Sequence, residues 1–164
     1  CQVFAFFEAR PCLKRRGEFN VTVRRILNAQ PKRPVAYIAP DATIAQVLQS
    51  PEFEEIGALV VSGDGRTLEG IISERDIVRG LGRIGPGLLS KHVRDLMTVN
   101  VLVCVPDDRA AGIMALMVSR HVRHLPVVAD GNLVGMVTVH DLLHLRLEET
   151  LSEAEAMRKY IAGN

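Results

Sequence analysis

The sequence predicts an α/β (α+β) protein made of two β-α-β-β-α modules, each burying an apolar face against the other. Three observations predict it. Gly70-Ile71-Ile72-Ser73-Glu74-Arg75-Asp76 returns as Gly135-Met136-Val137-Thr138-Val139-His140-Asp141, displaced by 65 positions (141 − 76 = 65). The flanks match as well. Ala58-Leu59-Val60-Val61 answers Leu125-Pro126-Val127-Val128, Val35 to Ile38 answers Val101 to Cys104, and Val23 to Leu27 answers Val93 to Met97. Finally, 164 residues at 48% hydrophobic, with two tyrosines and no tryptophan, supply aliphatic side chain for one core shared by two halves, whereas a module of roughly 65 residues alone is marginal.

The elements follow in order. Thr22 can cap a helix through about Ala29, which Pro31 and Pro34 stop, and Val35 to Ile38 reads as a strand. Asp41 or Thr43 opens the next helix, where Ile44, Val47 and Leu48 form one buried stripe and Pro51 ends it. A strand at Ala58 to Val61, a turn at Ser62 to Arg66 and a strand at Leu68 to Ile72 lead into a helix opening at Ser73. The four glycines and one proline of Gly80 to Gly87 predict a flexible connection whose shape responds to a ligand. The second module offers strands at Val101 to Val105, Leu125 to Val128 and Leu133 to Val137. Its first helix carries Ala110, Ile113, Met114 and Met117 on one face, and its last opens at Thr138. That last helix continues as a charged amphipathic stretch from about Leu142 to Ile161. The expected organisation is modules at 21–88 and 89–150 with a helical extension at 151–164. Residues 1–20 match nothing in the repeat and read as a leader or mobile arm, poorly ordered. Phe4-Ala5-Phe6-Phe7 is too short and wrongly flanked for a secretory segment.

Composition excludes several classes. A net charge of +1 argues against nucleic acid, and no apolar run approaches the roughly 18 residues of a membrane span. Cys1, Cys12 and Cys104 form neither a disulfide framework nor a zinc pattern, which fits a cytoplasmic protein. Cys104, in an apolar run, reads as a small buried hydrophobe. His140 and His144 stand at i and i+4, but no third ligand accompanies them, so no metal site is expected.

The repeated heptad carries the chemistry. Ser73-x-x-Asp76 and Thr138-x-x-Asp141 have the spacing of a helix capping box, with aspartate in place of the usual glutamate or glutamine. The same geometry suits a ligand: a helix N-terminus offers N–H groups to an anion, and a short carboxylate accepts two hydrogen bonds from a ribose diol. Arg120, His121, Arg123 and His124 precede the strand beginning at Leu125, and arginine forks match phosphate oxygens. Both readings, cap and nucleoside phosphate site, stand on these residues.

Tandem β-α-β-β-α modules with Gly-h-h-[Ser/Thr]-x-x-Asp after the third strand, preceded by a [His/Arg]-Leu-Pro-Val-Val strand, resemble the CBS-domain pair, or Bateman module. The resemblance covers about Val21 to Leu147. It implies a disc in which the modules pack by their sheets about a pseudo-twofold axis, leaving two clefts for adenosine nucleotides. It further implies that Ser73 and Thr138 approach phosphate or ribose and that Asp76 and Asp141 hold ribose hydroxyls. Backbone at Ile71 and Met136, with the side chains of Ile38, Val60, Val103 and Val127, would sandwich adenine; Arg123 and His124 would face phosphate. In the first module Ile56-Gly57-Ala58-Leu59 stands where the second has Arg123-His124-Leu125-Pro126, with Glu54-Glu55 nearby. The clefts are therefore expected to be unequal, one using Arg123 and His124 and dominating, with Asp141→Ala removing most adenosine affinity.

No Ser-His-Asp set, metal cluster or phosphate-binding loop can be assembled, so an enzyme is not expected and no cofactor is required. The expected function is a stand-alone, non-catalytic regulator that binds AMP, ADP, ATP or NAD(H), senses energy or redox state and signals to an unknown partner protein. The alternative is a structural homodimerisation module with empty clefts. Both imply a homodimer through the helices that follow Ser73 and Thr138.

Overall fold

The computed structural model describes residues 21–30 and 35–162; the expectations for 1–20, for the Pro31 and Pro34 stop and for 163–164 lie outside the described residues. In the first half, β1 (Tyr37–Ile38) runs parallel to β2 (Ala58–Val61), which pairs antiparallel with β3 (Gly70–Ser73). In the second half β4 (His124–Ala129) and β5 (Asn132–Thr138) form the corresponding hairpin. The expected strand at Val101 to Val105 reduces to one parallel bridge, Cys104 to Val127, closed by Cys104 N–H to Pro126 O at 3.1 Å and Val128 N–H to Cys104 O at 2.9 Å. Its neighbours divert their donors locally: Val101 N–H reaches Val99 O, and Val105 N–H reaches the Asp108 carboxylate at 2.9 Å.

Several helix boundaries differ from expectation, each for a visible reason. Thr22 does not cap α1 (Val23–Ala29) with its side chain. The first-turn donors are taken instead by the second repeat, Val23 N–H by Asp108 O at 2.9 Å and Arg24 N–H by Pro106 O at 2.7 Å. Thr43, not Asp41, caps α2 (Ile44–Leu48), in a capping box with Gln46. Pro51 does not merely end that helix; it occupies the first turn of a further one, α3 (Pro51–Ile56), where its fixed φ is favourable and Ser50 supplies the cap. Since α2 is so short, Leu48 lies at its outer edge, 46% exposed, rather than in the buried stripe.

The segment read as flexible is ordered. Helix α4 (Glu74–Ile84) runs through Gly80 and Gly82, and Gly85–Ser90 forms a 3₁₀ turn that buries Leu88. Gly80 is where the chain passes close: a Cβ there would sit 2.5 Å from Leu96 Cδ2 and 3.0 Å from Leu88 Cδ1. Helix α5 (Ala110–Arg120) buries Ala110, Ile113, Leu116 and Met117, with Met114 partly buried beside them, and α6 (Val139–Ala162) closes the described chain. Cys104 is buried, as expected of a small hydrophobe.

The cores exchange their leading segments. Val21, Val23 and Ile26 pack with Cys104, Met117, Leu125 and Leu142 of the second repeat, while Val93 packs with Ile44, Leu59 and Ile72 of the first. The exchange is symmetric to the level of single bonds. Ala110 N–H donates to Val21 O as Ile44 N–H donates to Lys91 O, and Arg24–Asp107 mirrors Arg94–Asp41. Between the halves Val60, Ile71, Leu133 and Met136 form an apolar seam, and Leu133 N–H donates to Arg66 O at 2.8 Å. The fold is thus an α+β pair packed by its sheets with pseudo-twofold symmetry, neither half being large enough to bury its own surface.

Candidate functional site

Strands β3 and β5 each end on a hydroxyl residue that starts a helix. Ser73 donates from both N–H (2.9 Å) and hydroxyl (2.6 Å) to Asp76 Oδ2. Thr138 does the same to Asp141 Oδ2 at 2.7 Å for each bond, and Asp141 N–H returns a bond to Thr138 Oγ1 at 3.2 Å. The capping reading of the repeated heptad is therefore satisfied. It uses one oxygen of each carboxylate: Asp76 Oδ1 lies 3.5 Å from the Thr98 hydroxyl, and Asp141 Oδ1 takes no hydrogen bond among the described residues. Both aspartates are half-buried, so Oδ1 of each, shared with Thr98 at Asp76 and open at Asp141, can take a donor arriving from outside.

The glycines that open the heptads have a packing role. A Cβ at Gly70 would lie 2.8 Å from Met97 Sδ and 3.0 Å from Thr98 O, and one at Gly135 would collide with Leu27 Cδ2. Leu27 and Met97 belong to the exchanged leading segments, so each glycine admits the crossing of the other repeat. Those crossings deliver two groups that no sequence motif marks. Thr98 exchanges backbone bonds with Ile71 at 2.9 and 3.0 Å, and the Gln30 amide donates to Met136 O at 3.3 Å.

The basic residues sit at the junction of the two helix starts. Arg123 Nη2 stands 3.7 Å from Glu74 Oε2, its carbonyl accepts from Val139 N–H, and Arg75 donates to His121 O at 3.0 Å. The guanidinium thus faces the first residue of α4, beside Ser73, rather than Asp141. His124 Nε2 bonds to Ile56 O at 2.7 Å. Burial pushes the His124 pKa below its ordinary value and the Arg123 charge lowers it further, against upward pulls from the Ile56 carbonyl, Glu74 and Asp141. The neutral ring donates from Nε2 to that carbonyl. Arg120 is exposed in the last turn of α5 and pairs with no acid among the described residues.

The apolar residues divide. Val60, Ile71 and Met136 lie at the seam between the sheets, as a shared site needs. Val127 does not: it is wholly buried in the second core, and Ile38 packs against the first. Val103 is half-buried on the bridging segment. The observed register explains this, since Ala58 pairs with Ser73 and His124 with Thr138, which makes Val61 and not Val60 the counterpart of Val127. A slip of one residue along a strand exchanges its two faces. In the same register Ala58 answers His124 and Gly57 answers Arg123, so the second repeat alone carries side-chain base at these positions.

Two stretches of the chain, residues 22–83 and 93–148, match the family model of the CBS domain. The protein belongs to the CBS-domain family. Among the relatives of this CBS-domain pair, the "CBS domain-containing protein CBSX3, mitochondrial" of Arabidopsis thaliana is 35% identical over 127 residues, 75% of this chain. The chain spans 62% of that protein's length. The crystal structure of the CBS-domain containing protein ATU1752 from Agrobacterium tumefaciens superposes with a TM-score of 0.71 at 31% identity, covering 76% of this chain and 92% of that one. CBSX2, solved in complex with AMP, superposes with a TM-score of 0.65 at 26% identity, covering 79% and 98%. Within the CBS pair, His144 faces Glu148 at 3.4 Å, and the described residues hold no group of three metal-ligating side chains. No helix among them is long and apolar enough to cross a membrane.

Proposed function

We propose that this CBS-domain pair is a non-catalytic regulatory module that binds an adenine nucleotide and passes its occupancy to a partner protein. The observation that carries the reading is the duplicated helix start: a hydroxyl and a half-buried carboxylate whose Oδ1 the cap does not use, set twice at the edge of one apolar seam. Asp76 and Asp141 would take ribose hydroxyls, the Ser73 and Thr138 ends would take phosphate, and Val60, Ile71 and Met136 would contact the base. The AMP complex of CBSX2, a protein of the same fold, supports an adenosine ligand. The two sites are unequal in this reading. Because Arg123 faces Glu74 beside Ser73, the nucleotide whose ribose Asp76 holds is the one whose phosphate would meet this guanidinium, and a bound phosphate would take the guanidinium from Glu74.

The second reading is a structural homodimer with empty sites. Exposed Val78 and Leu81 on α4 and Leu143 on α6 favour self-association in either case. Thermal denaturation separates the two. A ligand at about 100 times its Kd adds roughly 2.7 kcal/mol, which for a chain of this size raises Tm by about 5 to 10 °C. AMP, ADP, ATP, NADH and S-adenosylmethionine are the probes; a rise with an adenine nucleotide supports the sensor, and no rise with any of them leaves the structural module.

A further inference from the structure

Beyond Glu149 helix α6 leaves the body of the protein: every residue from Thr150 to Ile161 is exposed. From Thr150 to Ala162 the helix projects about 20 Å at its usual rise. A free helix of that length is marginal in water, so its stability calls for a packing partner. The exposed face has the pattern of one. Leu147, Leu151, Ala154, Met157 and Ile161 follow at steps of four, three, three and four, a continuous apolar stripe. Leu147, Leu151, Met157 and Ile161 are each more than half exposed. The stripe is separate from Leu142 and Leu145, which pack α6 onto the body.

We propose that this tail pairs antiparallel with the tail of a second copy of the chain, about a twofold axis close to Ala154. The sequence is self-complementary about that point. Leu147 of one copy meets Ile161 of the other, Leu151 meets Met157, and Ala154 meets itself, where a small side chain lets two helices approach closely. Antiparallel pairing also brings Glu148 of one copy to within about one turn of Arg158 of the other. Parallel pairing instead stacks Arg158 on Arg158 at the seam. The tail carries Glu148, Glu149, Glu153 and Glu155 against Arg158 and Lys159, an acidic balance that opposes docking on an anionic membrane surface. The pairing goes beyond the nucleotide reading and does not rest on it.

The test is cross-linking of the full chain in a Cys1→Ser, Cys12→Ser background. Leu147→Cys protein, affinity-tagged, is mixed with untagged Ile161→Cys protein and treated with a short bismaleimide. The expected product is the mixed tagged–untagged dimer, with Ile161→Cys alone remaining uncoupled. Coupling of Ile161→Cys to itself, which requires parallel tails, or absence of the mixed product overturns the proposal. Ala154→Arg provides a second readout, since it sets two guanidiniums at the axis. Introduced into both cysteine variants, it should cut the yield of the mixed product at least tenfold with the body's Tm retained, and an undiminished mixed product overturns the proposal.

Discussion

Two glycines two residues apart in α4, on opposite faces of the helix, give opposite responses to the same substitution. Replacing either Gly80 or Gly82 with alanine favours the helix by about 0.5 to 1 kcal/mol. At Gly82 nothing lies within 4 Å of the added methyl group, so that gain is the whole effect. At Gly80 the methyl group meets Leu96 Cδ2 at 2.5 Å and Leu88 Cδ1 at 3.0 Å, and Leu88 is itself 1% exposed, with little room to move. Overpacking of this kind costs about 1 to 3 kcal/mol. Gly80→Ala therefore nets a loss of up to about 2 kcal/mol while Gly82→Ala stabilises, and the difference between them isolates the overpacking. Urea denaturation of the two variants measures it directly, and their melting temperatures should differ by several degrees, at roughly 2 to 4 °C per kcal/mol. Equal stabilisation of both would mean that Gly80 to Gly87 is an unpacked linker, and the reasoning would fail.

Further expectations concern the site and the exchanged segments. His124 has its folded pKa below the ordinary 6.5, so below about pH 6.5 the unfolded chain binds more protons than the folded one. The stability of the neutral ring is complete above that pH and is lost as pH falls toward the folded value; wild-type Tm should fall more than that of His124→Gln between about pH 7.5 and about pH 5.5, and parallel slopes would contradict this. Asp76→Ala and Asp141→Ala each remove a helix cap and should cost about 0.5 to 2 kcal/mol in urea; no cost would mean the bonds to Ser73 and Thr138 are absent in solution. Gly135→Ala should destabilise by about 1 to 3 kcal/mol, and adding Leu27→Ala should relieve part of that loss. Strict additivity of the two would show that Leu27 does not cross β5.

The duplication, both hairpins and the two capped helix starts were legible in the sequence because each is local: glycine, hydroxyl and carboxylate stand within seven residues. What spans the repeats was not legible. The exchange of Val23 and Val93 between cores leaves no mark in an apolar pattern that suits either core equally well. Thr98 and Gln30 reach Asp76 and Met136 only because of that exchange. The resemblance to CBS pairs implies Val127 as a base contact beside Val60, and matching Val60 to Val127 needs a register that runs of valine leave open by one residue. Hydrogen-bonded pairing of His124 with Thr138 fixes it and turns Val127 inward. Gly80 to Gly87 looked like a hinge because glycine in a helix interior is disfavoured, yet the close approach of Leu96 requires one of those glycines.

Titration calorimetry of AMP and adenosine into the wild type and Arg123→Ala asks most directly whether the pair of adenine-nucleotide sites is made unequal by one arginine. The wild type should show a single dominant AMP site. Arg123→Ala should weaken AMP by about tenfold or more, as the loss of a charge-assisted bond requires, and leave adenosine nearly unchanged. Two equal AMP sites, equal losses for both ligands, or no binding of either would contradict it.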